Sequence, residues 1–350
     1  MNESATIHSC IKCGAKYSLE GTNDKDNLCV FCLLEKKSKQ NSQEVTIVPA
    51  LLDASRLNTS SEAKEYRPSS FNEYVGQEPA KAKVQSFIEG CKTFNEVYPH
   101  TFISAPSGMG KTLFCTILAN QLKKKIIFTT GGEIKSEQIF IDKLVEAEGG
   151  IIFVDEANRL PKRVGFFILP LMEQFEIQGK AINKFSVFFA TTHKGDISKD
   201  LDALIQRCEQ VSLIPYTSEE LSKIILQYKA KQYPSIQLPE NVVKEIIISC
   251  RQTPRNAKNL VRAFAYCQDW NKVKMMNNII KEGLTELDIK TLTYLNKCGG
   301  AGKNAIANHL RVKAQTYEWD VEPYLVYKEM IEINNKRIIS EKGKAFINGL

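Results

Sequence analysis

Long apolar runs are missing from this 350-residue chain, and tryptophan is scarce, at two residues. No segment approaches the ~18 consecutive apolar residues of a membrane span. The strongest candidate, residues 164–172, is interrupted by Pro170. That argues against an integral membrane protein. The opening Met1-Asn2-Glu3-Ser4 lacks the basic-then-apolar pattern of a secretory leader, so a cytoplasmic location is expected. We find no internal repeat. Charge of one sign is also in short supply: 47 Lys and Arg face 40 Asp and Glu, a net +7. That surplus is compatible with a polyanionic partner and too small to establish one. What is present, 43% apolar and 25% charged residues, is the make-up of a globular protein with a sizeable core. The length suggests two or three domains at roughly 100–200 residues each.

Ten cysteines without a leader argue against a disulfide scaffold, and they are unevenly placed. Four of them form two C-x2-C pairs, Cys10 with Cys13 and Cys29 with Cys32. That spacing reads as a structural zinc site, because each tight loop aims two thiolates at one ion and four complete a tetrahedron. Cys91, Cys115, Cys208, Cys250, Cys267 and Cys298 stand singly and read mostly as small core residues; His8 reads as solvent-exposed. From Lys36 to Glu65 the chain turns polar around the short run Val45–Val48, as expected of a flexible linker.

Residues 105–112 read Ala-Pro-Ser-Gly-Met-Gly-Lys-Thr, a phosphate loop with alanine at the position of the usual first glycine. A plausible buried strand, Thr101–Ser104, precedes it, and Leu113, Ile117, Leu118 and Leu122 follow at helical spacing. Gly108 and Gly110 let backbone N–H groups turn inward around phosphate. Lys111 reaches the β and γ oxygens, and Thr112 ligates Mg²⁺. A second apolar run, Ile151–Val154, ends in Asp155-Glu156. A carboxylate there can hold Mg²⁺ through water, and its neighbour can deprotonate a hydrolytic water. A third run, Phe185–Ala190, leads to Thr191-Thr192.

With these motifs in order, residues 66–350 resemble the RuvB-type Holliday-junction branch-migration motors of the AAA+ ATPases. Besides the phosphate loop, the similarity rests on Arg67-Pro68, Tyr74-Val75-Gly76-Gln77-Glu78 and Thr129-Thr130-Gly131. It continues through Asp155–Leu160, Ala190-Thr191-Thr192 and Thr253-Pro254-Arg255. The resemblance implies that Arg67, Tyr74 and Val75 contact the adenine, and that Ser107, Gly108, Met109, Gly110, Lys111, Thr112 and Leu113 wrap the nucleotide. It makes Thr192 the sensor of the γ-phosphate and Arg207 a finger inserted into the next subunit's ATP. Arg255 becomes a second sensor on a helical lid, with Tyr216 and Pro254 near the base. The tail from Gly283 resembles the family's winged helix. Read from the residues, it shows helical periodicity at Leu287, Leu292 and Leu295, then at Ile306 and Leu310. A short hairpin is expected from Ile331–Ile333 and Ile338–Ile339, with Lys336 and Arg337 at its tip as DNA-backbone contacts. Arg251, Arg255, Lys258 and Arg262 are spaced to share one helical face.

The expected fold is thus α/β: an AAA+ P-loop core with a helical lid, a C-terminal winged helix and an N-terminal zinc ribbon. The expected divisions are a ribbon at 1–38, a linker at 39–65, a large ATPase domain at 66–214, a lid at 215–283 and a winged helix at 284–350. The expected ligands are ATP, Mg²⁺ and Zn²⁺, and the expected partners are DNA and further copies in a hexameric ring. Departures from the family are the ribbon itself, Asn158 in place of histidine, fewer arginines in the wing, and a shortened segment between Met172 and Ser186. That segment is where the family carries its hairpin for RuvA. The alternative reading is an ATP-switched loader that binds a partner through the ribbon without translocating.

Overall fold

The computed structural model describes residues 7–9, 16–18, 65–177, 179–192 and 201–349. The zinc-ribbon cysteines Cys10, Cys13, Cys29 and Cys32, most of the linker and the surroundings of His8 lie outside the described residues. Two three-residue strands, β1 (Ile7–Ser9) and β2 (Lys16–Ser18), pair antiparallel on either side of the segment holding Cys10 and Cys13. The chain divides into two compact units, 1–214 and 215–350.

In the first unit, α1 (Glu78–Phe94) buries Ala80, Val84 and Ile88 at four-residue intervals, as an amphipathic helix should. Strands and helices then alternate: β3 (Thr101–Ser104), α2 (Lys111–Gln121), β4 (Ile126–Thr130), α3 (Glu137–Ala147) and β5 (Ile151–Asp155). After a 3₁₀ turn at Ala157–Arg159 come α4 (Lys162–Gln174), the two-residue strands β6 (Glu176–Ile177) and β7 (Lys180–Ala181), and β8 (Ser186–Thr191). α5 (Asp202–Gln206) and β9 (Glu209–Ser212) close the unit. Among the described residues, the five longer strands form one parallel sheet in the order β4-β5-β8-β3-β9. Parallel strands covered on both faces read as continuous apolar runs, and every residue of β8 is buried. Phe102, Phe140, Ile152, Val154, Ile168, Phe185 and Phe189 belong to the core packed on this sheet. Crossovers put the loops after β3, β5 and β8 at one edge, the carboxyl ends of neighbouring strands, where ligands bind in open α/β sheets.

The second unit begins with three helices, α6 (Ser218–Gln232), α7 (Glu240–Ser249) and α8 (Pro254–Cys267). α6 starts on a capping box: the Glu220 N–H donates to Thr217 Oγ1 at 3.2 Å, and the Thr217 N–H donates to Glu220 Oε2 at 2.8 Å. α8 buries Ala257, Leu260, Val261, Phe264 and Ala265 along one stripe. Then come α9 (Trp270–Met276), the paired strands β10 (Ile279–Lys281) and β11 (Leu284–Thr285), α10 (Glu286–Cys298) and α11 (Lys303–Leu310). A short α12 (Ala314–Thr316) runs through a π turn into α13 (Glu322–Tyr327). β12 (Ile331–Asn334) and β13 (Lys336–Ile339) form the wing, and α14 (Glu341–Asn348) ends the described chain. Leu292, Leu295, Ile306, Tyr317, Leu325 and Ile339 are among the residues that build the core here. The lid and the winged helix therefore lie within one compact unit rather than standing apart.

Three expectations need correction. α8 begins at Pro254, which fixes the first turn, so Arg251 lies before the helix and shares no face with Lys258 and Arg262. Of the six single cysteines, Cys115, Cys208 and Cys250 are buried, whereas Cys91 and Cys267 are half-buried and Cys298 is exposed. The wing strands also extend further than their apolar residues indicated, placing Lys336 and Arg337 within β13. Among the described residues, no helix is long and apolar enough to cross a membrane.

Candidate functional site

The phosphate loop leaves β3 and enters α2. Its first residue is tied to the end of β8, because the Ala105 N–H donates to Thr191 O at 3.3 Å. Gly108 and Gly110 have φ of 78° and 97°, left-handed values that favour glycine. Space makes the same demand at Gly110, where a Cβ would lie 2.7 Å from the Tyr74 hydroxyl. Tyr74 is buried, and its hydroxyl donates to Met109 O at 3.4 Å. Lys111 is 7% exposed, and its ammonium donates to Ala105 O at 2.7 Å and Pro106 O at 3.2 Å. Thr112 and Ser107 are exposed and Leu113 is half-buried at the N-terminus of α2, whose free N–H groups attract anions.

Asp155 ends β5, half-buried, with Oδ1 accepting from the Glu156 N–H at 2.9 Å. Glu156 adopts φ of 48° and pairs with Arg159 at 2.9 Å, both side chains being largely exposed. Gly131, after β4, donates its N–H to Asp155 O at 2.8 Å. A Cβ at Gly131 would meet Glu156 O at 2.5 Å and Leu160 N at 2.9 Å. The β4 motif therefore abuts the acidic pair backbone to backbone. Cys115 is fully buried on α2 and feels both charges of the site. Burial pushes its thiol well above the ordinary value, Asp155 pushes it further and Lys111 pulls it back. Thr192 follows β8, half-buried.

Gln77 joins this assembly to the end of the unit. It is 1% exposed, and its side-chain amide donates to Ile214 O at 2.7 Å and accepts from the Ile214 N–H at 2.8 Å. The segment carrying Tyr74 and Val75 thus braces the phosphate loop on one side and the last residue of the unit on the other. Arg67 is exposed ahead of it. Arg207 caps α5, where its guanidinium contacts Glu173 of α4 and donates to Ala203 O at 2.8 Å. The β6–β7 hairpin is a stub of two residues per strand.

In the second unit Tyr216 is buried, Pro254 opens α8 and Arg255 stands exposed beside it. On the wing, Lys336 is exposed. Arg337 is not an exposed tip cation. Its guanidinium grips Glu322 at 2.6 and 3.1 Å, leaving its side chain 17% exposed, and its backbone exchanges hydrogen bonds with Ala301. That bidentate pair commits the charge to the fold.

The first unit's donor set fits a nucleotide with Mg²⁺. Two left-handed glycines, a helix N-terminus and a buried ammonium form the phosphate cradle, and Thr112 and Asp155 supply the hard oxygen ligands Mg²⁺ prefers. Among the described residues, no group of three or more His, Cys, Asp and Glu is gathered to hold a metal unaided. Sequence reasoning missed Gln77, Arg159 and Glu173 as partners of site residues. Arg159 stands at the i+3 spacing from Glu156, a readable signal; Gln77 and Glu173 meet partners 137 and 34 positions away, which no local pattern reports.

Comparison with known proteins finds the same domains and fold. The sequence profile of the Holliday junction DNA helicase RuvB P-loop domain matches residues 66–209, and that of the RuvB C-terminal winged helix domain matches residues 281–348. A Thermotoga maritima protein named Holliday junction branch migration complex subunit RuvB is 30% identical over 305 residues, covering 79% of this chain and 90% of that protein. A Mycoplasma genitalium protein of the same name is 28% identical over 301 residues, covering 80% of this chain and 97% of its own length. The solved Thermotoga maritima RuvB Holliday junction branch migration motor superposes with a TM-score of 0.71 at 30% identity, covering 81% of this chain and 98% of that one.

Proposed function

Because the chain belongs to the RuvB family, we propose that it is an ATP-hydrolysing DNA motor that drives branch migration of Holliday junctions in recombination. One observation carries the reading furthest: the phosphate loop after β3 and the Asp155-Glu156 pair at the end of β5 stand at the carboxyl edge of one parallel sheet, and Cys115, buried on α2, feels both Lys111 and Asp155. In this reading Lys111 moves from the loop carbonyls onto the β and γ oxygens, which gather charge as the phosphoryl group transfers. Thr112, and Asp155 through water, would hold Mg²⁺, which would supply further neutralisation there. Glu156 parts from Arg159, an exposed pair that costs little to break, and takes the proton of the attacking water. Thr192 and Arg255 sense the γ-phosphate, while Arg67, Tyr74, Val75, Tyr216 and Pro254 hold the base.

Copies of the chain assemble as a ring, six being the number the resemblance implies. Arg207 exchanges Glu173 for the neighbour's ATP, a role worth roughly 10³–10⁵ in rate for such fingers. Lys336 touches the DNA backbone, and Arg337 shapes the wing. Cys10, Cys13, Cys29 and Cys32 hold zinc in an appended ribbon, supported by their spacing and by the strands flanking the first pair. The stub hairpin between Glu176 and Ala181 offers a RuvA-like partner less to grip than a full hairpin would.

The test is ATP turnover by the purified protein on single-stranded, duplex and four-way-junction DNA. Stimulation that grows with duplex length and vanishes in Lys111→Ala supports a translocating motor. Stimulation that depends on ends or junctions but not on length favours the loader. Turnover indifferent to every DNA contradicts both.

A further inference from the structure

The turn that leads into Arg255 is an unusual one. Arg251 and Gln252, with φ of 52° and 56°, are consecutive non-glycine residues in the left-handed region, which side chains occupy at a cost. Such a conformation persists where its surroundings hold it, and here the winged helix does the holding. The Arg251 guanidinium contacts Asp288 of α10, donates to Asp320 O at 2.7 Å and to Thr285 Oγ1 at 3.2 Å, and lies 4.6 Å from the centre of the Tyr324 ring. Asp288 is fully buried, and it also accepts from the Thr285 N–H at 2.6 Å and the Thr285 hydroxyl at 2.7 Å. On the other side of the turn, the Thr253 hydroxyl donates to Arg251 O at 2.9 Å, so the position of Arg251 is passed to the N-cap of α8.

A second set of contacts closes the same seam. The Tyr324 hydroxyl donates to Ile248 O at 2.9 Å, near the end of α7, and also lies 3.2 Å from Glu282 O. Gly283 leaves no room for a side chain there: with φ of 77°, its Cβ would stand 2.5 Å from Ile248 O and 2.6 Å from the Tyr324 hydroxyl. The winged helix is thus keyed into the end of α7 and into the turn before α8, and Arg255, four residues after Arg251, is exposed.

We propose that Arg251 is a positioning residue for ATP sensing: held by Asp288, it keeps the strained turn that aims Arg255, so the winged helix sets how well the lid distinguishes ATP from ADP. This rests on the reading of Arg255 as a γ-phosphate sensor. By linkage, whatever moves the winged helix changes the preference for the γ-phosphate, and the reverse holds equally.

The experiment measures binding of ATPγS and of ADP, each with Mg²⁺, to the full-length protein and to Arg255→Ala, Asp288→Asn and Arg251→Lys. Asp288→Asn keeps the shape of the Thr285 cap while removing the charge that holds Arg251. Arg251→Lys keeps that charge but cannot make the forked contacts. All three should lose the ATPγS-over-ADP preference, by about five-fold or more, with ADP affinity held within about two-fold. A merely structural defect would weaken both nucleotides together. Should Asp288→Asn fold poorly, Arg251→Lys decides. Wild-type preference in folded Asp288→Asn and Arg251→Lys, alongside its loss in Arg255→Ala, overturns the inference alone. Wild-type preference in Arg255→Ala overturns the sensor reading and the inference with it.

Discussion

A single methyl group added at Gly131 should slow the motor by displacing the backbone of Glu156. In Gly131→Ala the new Cβ would lie 2.5 Å from Glu156 O and 2.9 Å from Leu160 N, both backbone atoms that cannot swing aside. Carbon and oxygen rarely approach within 3.0 Å and rest near 3.4 Å, so the carbonyl must retreat by about 0.5 to 0.9 Å. Overpacking of this size costs typically ~1–3 kcal/mol. For a domain of 150–250 residues that corresponds to roughly 2–4 °C of midpoint per kcal/mol. The retreat carries Glu156 with it, and a displacement approaching 1 Å at a reacting group can cost ~10²-fold in rate. The neighbouring residue supplies the control, because a Cβ on Gly132 meets only Arg159 Cδ, at 3.8 Å. Steady-state ATPase assays should therefore show a kcat loss of about ten- to a hundred-fold for Gly131→Ala and about wild-type kcat for Gly132→Ala. Equal kcat in the two variants, with equal thermal midpoints, would refute the reasoning.

Stability should fall on the acid side through His100, whose ring accepts from the Val187 N–H at 3.0 Å and, in the tautomer this fixes, donates to Met172 O at 3.1 Å. Burial holds this imidazole below its ordinary 6.5, so the folded chain takes up the proton less readily than the unfolded chain. Its contribution is complete above about 6.5 and is lost as pH drops toward the folded value, and urea midpoints of His100→Asn should lose less on acidification than wild type. On the wing, Lys336→Ala should shallow the salt dependence of DNA binding by about one phosphate contact. Arg337→Ala should instead lower the thermal midpoint, because it strands the nearly buried Glu322. For Arg207→Ala, turnover absent in the pure variant should return in part when wild-type subunits are mixed in. Turnover that tracks only the wild-type fraction would speak against a finger acting between subunits.

Much of the site was legible because phosphate chemistry constrains short stretches of chain. Gly108, Gly110 and Lys111 must be neighbours for a loop to cradle phosphate, and Asp155 must end a strand to face it. The strands were legible for a related reason: β5 and β8 are covered on both faces, so their apolar runs admit little else. What escaped lay in contacts across the chain. Arg337 looked like a tip cation until Glu322, fifteen residues upstream, was found opposite it. Arg251 has the right spacing to extend the face of α8, but the proline at the first turn starts the helix three residues later. Gln77 and Ile214 are separated by 137 positions, and nothing local to either announces the other.

The most direct measurement is ATP-dependent branch migration of a mobile four-way DNA junction by the purified protein, wild type against Glu156→Gln. The structure predicts that wild type resolves the junction into its duplex products only with ATP and Mg²⁺, and that Glu156→Gln binds the same junction but leaves it intact. Equal conversion by the two proteins, or ATP turnover on the junction with no movement of its branch point, would contradict the motor.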